Sequence, residues 1–212
     1  MKSSNQDAVS PVIGVMLMLV VTIIIAAVVS AFAGGALGSQ AKPPQATIKG
    51  VFSQYGGMQI IHTGGDAIPA SNLMFTVAND ATFGQGLSST TTQIVDKSII
   101  TDGDGNYLQN TDGTSSVTVF APGQTIYISR DNLNPYKLQP QIAPSNDNGG
   151  HGQNATFFWY DGKWGYEASP KKDDLWNLCF INPNSVGKSF TLTMSDKTSG
   201  ATIARTTVVI TA

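Results

Sequence analysis

Few residues in this 212-residue chain have the types and spacing that catalysis needs. The two histidines, His62 and His151, stand far apart in unrelated contexts, and Cys179 is the sole cysteine. A nucleophilic triad would be a coincidence, no disulfide can form within the chain, and no cysteine cage for a metal exists. There is no G-x-S-x-G elbow, no G-x-x-x-x-G-K-[ST] phosphate loop, no H-E-x-x-H and no C-x-x-C. The sequence therefore reads as a protein that is not an enzyme and holds no cofactor.

Other groupings suit binding or modification. Asp102, Asp104 and Asn106 place three oxygen donors at alternate positions, as the opening of a calcium loop does. The sixth place, however, is Tyr107 rather than Gly and the twelfth is Gly113 rather than Glu, so a glycine-rich hairpin is favoured over a metal site. Asn154-Ala155-Thr156 is the only N-x-[ST] sequon and borders the Pro-, Asn- and Gly-rich stretch from Asp131 to Gln153. Asn154 is the expected glycosylation site if that region lies outside the cell; the alternative is an ordinary strand entry. The run from Phe157 to Tyr166 has the makings of an aromatic hairpin, with Trp176 near in sequence. Alternation sends half of its rings inward, leaving core, subunit contact and ligand platform as its three uses.

The element that organises these pieces comes first in the chain. Ala8 to Ala41 contains no Asp, Glu, Lys, Arg or His, and Val12 to Ala33 is almost wholly apolar. As a helix those 22 residues span about 33 Å, the thickness of a bilayer's hydrocarbon core. Ser10 as N-cap and Pro11 at the first helical position predict a start at Pro11, while Gly34, Gly35, Gly38 and then Lys42-Pro43-Pro44 predict the end. Thr22, Ala26, Ser30 and Gly34 recur every four residues with Ala27 beside them, and Gly14 lies earlier in the run. These small residues would let helices approach closely. A secretory signal peptide, a plain membrane anchor and a buried helix of a soluble domain are the competing readings.

Asp7-Ala8-Val9-Ser10-Pro11-Val12-Ile13-Gly14-Val15 closely resembles the N-terminus of archaeal type IV pilins. His62-Thr63-Gly64-Gly65-Asp66 resembles a motif found between their first strands. The resemblance implies a leader removed between Asp7 and Ala8 by a membrane-embedded prepilin peptidase. It further implies that an assembly ATPase and a membrane platform protein draw subunits into a filament whose core is the bundled N-terminal helices. Bacterial relatives carry Glu at the fifth mature position, where this chain has Val12, so a pairing of that carboxylate with a free amine is not expected.

Downstream of the helix, ten short segments rich in Val, Ile, Thr, Phe and Tyr recur between turn signals, including Thr92 to Thr101 and Ser189 to Met194. They predict an α+β protein: a long hydrophobic helix followed by an all-β antiparallel sandwich. The expected organisation is a leader at 1–7, a helix at 8–38, a linker at 39–45 and an extracellular domain at 46–212. A net charge of −2, with only 12% charged residues, leaves no basic footprint for nucleic acid. The sequence thus points to a homo-oligomeric surface filament subunit, first held in the cytoplasmic membrane and then extracellular, with adhesion as its expected role. The alternative is a monomeric membrane-anchored β-domain that binds a ligand or carbohydrate.

Overall fold

The computed structural model describes residues 9–32, 44–144, 156–167 and 174–212, and the chain separates into two units, 1–42 and 43–212. In the first unit α1 (Val9–Ala31) runs 23 residues without a break. It already includes Val9 and Ser10, so Ser10 does not cap a helix starting at Pro11 as the sequence suggested. Pro11 still falls in the first turn, where amides have no intrahelical acceptor and a missing N–H costs nothing.

The second unit is built from β1 (Ala46–Ser53), β2 (Gly57–Gly65), β3 (Ile68–Pro69), β4 (Leu73–Asn79), β5 (Gln93–Val95), β6 (Ile100–Thr101), β7 (Val119–Phe120), β8 (Thr125–Ile128), a four-residue helix α2 (Pro135–Leu138), β9 (Thr156–Tyr160), β10 (Lys163–Glu167), β11 (Ser189–Asp196) and β12 (Thr202–Thr211). Eight strands join in one sheet in the order β5-β4-β11-β12-β1-β2-β8-β6, and β3-β7 and β9-β10 form two small pairs. The α+β class, an apolar helix followed by a mostly antiparallel β-domain, is as the sequence predicted. One central pair departs from antiparallel pairing: β1 and β12 run parallel, with Phe52 opposite Ile210.

Burial follows the pleat. Phe190, Leu192 and Met194 on β11 have no exposed surface, as their alternation with Thr191 and Thr193 requires. The expected strand Thr92 to Thr101 is instead β5 and β6 separated by a 3₁₀ turn at Lys97–Ile99, because the Asp96 carboxylate accepts from Ser98 N at 2.9 Å and caps that turn. The split has a global effect. β5 and β6 are the two outer strands of the eight-stranded sheet, yet only Asp96 to Ile99 separates them. Laid flat, eight strands would set those edges about 34 Å apart, while a link this short reaches about 18 Å at most. The sheet must therefore roll over on itself, and β packs against β around a core of its own side chains. At the centre, Phe180 stacks on Phe190 at 4.1 Å between ring centroids, and Phe52 meets both rings edge-on at 6.0 and 5.6 Å.

Irregular segments are fastened to this roll by buried amide side chains rather than by disulfides. Gln54 Nε2 donates to the carbonyls of Phe180 and Asn182, each at 2.7 Å. Gln139 Oε1 accepts from Phe180 N at 2.8 Å, Gln93 Oε1 from Gln141 N at 2.9 Å, and Asn79 Nδ2 donates to Leu178 O at 2.8 Å. Each of these side chains offers both a donor and an acceptor, which suits backbone that no sheet ladder satisfies.

Candidate functional site

From Val12 to Ala31 every residue of α1 is exposed, as is Phe32 after it, including large side chains such as Met18 at 72% and Val15 at 68%. The stretch Val12–Ala31 is 20 residues long, enough to cross a hydrocarbon core at about 1.5 Å per residue. Such a surface must be covered, and no stripe of charge marks a water-facing side. Gly14, Thr22, Ala26 and Ser30 fall on one i, i+4 row, with Ala27 flanking it, and a Cβ placed on Gly14 would meet nothing within 4 Å. Thr22 Oγ1 donates to Leu19 O at 2.9 Å, so its hydroxyl is satisfied within the helix and can enter an apolar interface at little cost. The Ser30 hydroxyl makes no hydrogen bond among the described residues and remains available to a neighbouring backbone. Gly34 lies outside the described residues, as do the leader junction Asp7 and Ala8 and the sequon residue Asn154.

At the start of the β-domain the His62 to Asp66 motif forms a bracket. His62 is buried on β2, its Nε2–H donates to Asp66 O at 3.1 Å, and its ring meets Phe120 edge-on at 5.1 Å. Asp66 reaches across to the chain entering β1: its Oδ2 accepts from Gln45 N at 2.9 Å, and its N–H donates to Gln45 O at 2.8 Å. Gly65 takes φ +106°, and a Cβ there would collide with the Gln45 carbonyl. The motif thus clasps the residue that enters β1, a role visible only once the two strands are paired.

The Asp102 to Asn106 turn spends its carboxylate on itself. Asp102 Oδ1 accepts from Asp104 N at 2.9 Å and Asn106 N at 2.8 Å, and Oδ2 accepts from Asn106 Nδ2 at 2.9 Å. The Asn106 side-chain bond is the largest of the effects holding the Asp102 pKa below its usual value. Asp104 and Asn106 therefore line up as parts of a closed turn, and among the described residues no group of three His, Cys, Asp or Glu is placed to hold a metal.

The aromatic hairpin divides as alternation predicts. Trp164 is buried and donates from Nε1 to Gln54 O at 3.2 Å, while Trp159 and Phe157 are half-buried. Trp159 stands edge-on to Tyr55 at 5.8 Å, with the Arg130 guanidinium 5.1 Å from its centroid. Phe158 and Tyr160 point outward, at 41% and 77% exposure.

These features define a class: a chain with, among the described residues, one membrane-length apolar helix, notched by small residues, followed by a β-domain. Residues 7–48 match the family model of the archaeal type IV pilin N-terminal region, which bears out the resemblance over that stretch and supports a type IV pilin subunit. Pilins are structural subunits, not enzymes. No curated protein and no solved structure matches the chain.

Proposed function

We propose that this protein is the building block of an archaeal type IV pilus-like surface filament, its helices bundled in the core and its β-domains coating the outside. The observation that carries the reading is the exposed, uncharged helix Val12–Ala31 with small residues on an i, i+4 row, lying within the segment that matches the pilin N-terminal family. A plain anchor needs only bulk hydrophobicity; a helix bundle also needs places where backbones draw near. In this reading the precursor resides in the cytoplasmic membrane, is cut between Asp7 and Ala8 by a prepilin peptidase, and is assembled by an ATPase and a membrane platform. The glycan of the mature subunit is carried on Asn154, and the filament serves adhesion.

The deciding experiment compares two substitutions in the native host. Ala26→Phe adds bulk to the small-residue row and is expected to abolish filaments in electron micrographs while leaving the chain inserted and the β-domain folded, since overpacking costs about 1–3 kcal/mol in every subunit. Ile24→Phe, on the other side of the helix, should assemble. Normal filaments from Ala26→Phe would refute close packing on this row. N-terminal sequencing of filaments is expected to begin at Ala8, and intact mass should fall by a glycan in Asn154→Gln.

A further inference from the structure

A cleft of about 700 Å³ opens beside the point where the rolled sheet closes, within the range of about 300–1,000 Å³ usual for small-molecule sites. Three separate segments wall it: the β5 edge with its following turn, the strand-like stretch after the Asp102 turn, and the segment around α2. Its two rings are Tyr107, 44% exposed, and the half-buried Tyr136. Both are held in place. A bridge between Thr101 and Tyr107 closes the self-bonded Asp102 turn, so the failed calcium motif works as a rigid mount for Tyr107. Tyr136 N is capped by Asn134 Oδ1 at 2.9 Å, and the ring leans edge-on against Phe157 at 5.0 Å.

Around these rings stand polar groups with no partner among the described residues: the Gln109 amide, the Ser98 hydroxyl, the Tyr107 hydroxyl and the second carboxylate oxygen of Asp96. The charges on the wall cancel, Asp96 against Lys137, and Lys137 Nζ already donates to Asn132 Oδ1 at 2.7 Å. No net field selects an anion or a cation. Ring faces for apolar C–H surfaces, side-chain amide and hydroxyl groups for paired hydroxyls, and charge neutrality together describe one ligand chemistry.

We infer that this cleft binds a neutral saccharide. The site lies wholly within the β-domain and does not depend on the filament reading, so the subunit held in a membrane should show the same binding as the assembled one. Full-length protein in phosphatidylcholine nanodiscs is titrated by calorimetry with maltotriose, mannotriose, chitotriose and lactose, and with sialyllactose as the anionic counterpart of lactose. Suspensions of amorphous cellulose and chitin distinguish a polymer from the short sugars of a glycoconjugate. At least one neutral sugar should bind; Tyr107→Ala should weaken it by about tenfold or more, and Tyr107→Phe, which keeps the ring face and loses one hydroxyl, by less than Tyr107→Ala. Gln109→Ala carries the same expected loss as Tyr107→Ala, and serves alone if the latter does not fold. Binding of no neutral sugar, a preference for sialyllactose over lactose, or wild-type affinity in both folded alanine variants would overturn the assignment.

Discussion

Gly50 faces inward from β1, where a Cβ would overlap Cγ2 of Val208 and sit 3.4 Å from Cδ2 of Leu192. Its missing side chain makes room for a neighbour's methyl group, so Gly50→Ala should cost about 1–3 kcal/mol in urea unfolding, from overpacking alone. Asp80 works at the junction of β4 and β11, accepting from Ser189 Oγ and from Thr82 N and Oγ1. Burial disfavours its charge, but the bonds from Ser189 and Thr82 outweigh that and hold its pKa below the ordinary value. A depressed carboxylate adds stability above the unfolded value of about 3.9 and loses it as pH falls through the lower folded value. Asp80→Asn should therefore lower the urea midpoint at about pH 7, and its gap from the wild type should narrow as pH falls through the depressed folded value. Neither residue stood out in the sequence. Hydrophobic patterning sees what a side chain contributes, and Gly50 contributes its absence, while the partners of Asp80 include Ser189, more than a hundred positions away.

The β9–β10 hairpin shows what was legible at the level of elements. Asp161 and Gly162 take φ values of +50° and +70°, both left-handed, as a two-residue Asp-Gly turn between paired strands demands. A Cβ on Gly162 would touch nothing within 4 Å, so Gly162→Ala tests the backbone alone. The expected penalty is about 1–2 kcal/mol, read as faster proteolytic nicking within the hairpin while Asp161→Asn remains protected. Local signals such as this turn, the alternation in β11 and the uninterrupted apolar run of α1 act between near neighbours, and the sequence displays them. The division of Thr92 to Thr101 depended on one Asp96 carboxylate choosing a backbone amide over solvent. The amide clamps of Gln54, Gln93 and Gln139 depended on which distant backbone carbonyls and N–H groups arrived beside them, and the Tyr107 cleft on three walls meeting. None of these leaves a periodicity to read.

At the scale of the whole molecule, the order of strands matters more than any single contact. β12 occupies the fourth place in an eight-stranded sheet, between β11 and β1, and it is held to β1 by Gln54 N donating to Thr211 O at 2.9 Å and Thr211 Oγ1 donating to Phe52 O at 2.7 Å. A chain stopped after Ala201 would lose a central strand and split the sheet in two, unlike the loss of an edge strand. Such a truncation should give a domain with no cooperative thermal transition by circular dichroism and rapid digestion of the whole β region. Pairing the second element of the chain with its last also places much of the sheet among non-local contacts, the arrangement that folds slowly. The consequence concerns timing. Synthesis from the N-terminus delivers β12 after every other strand described, so β1 must wait, its pairing on that side incomplete, until β12 has emerged. The sheet is thereby left open along β1 while the chain grows and locks only when its last strand arrives.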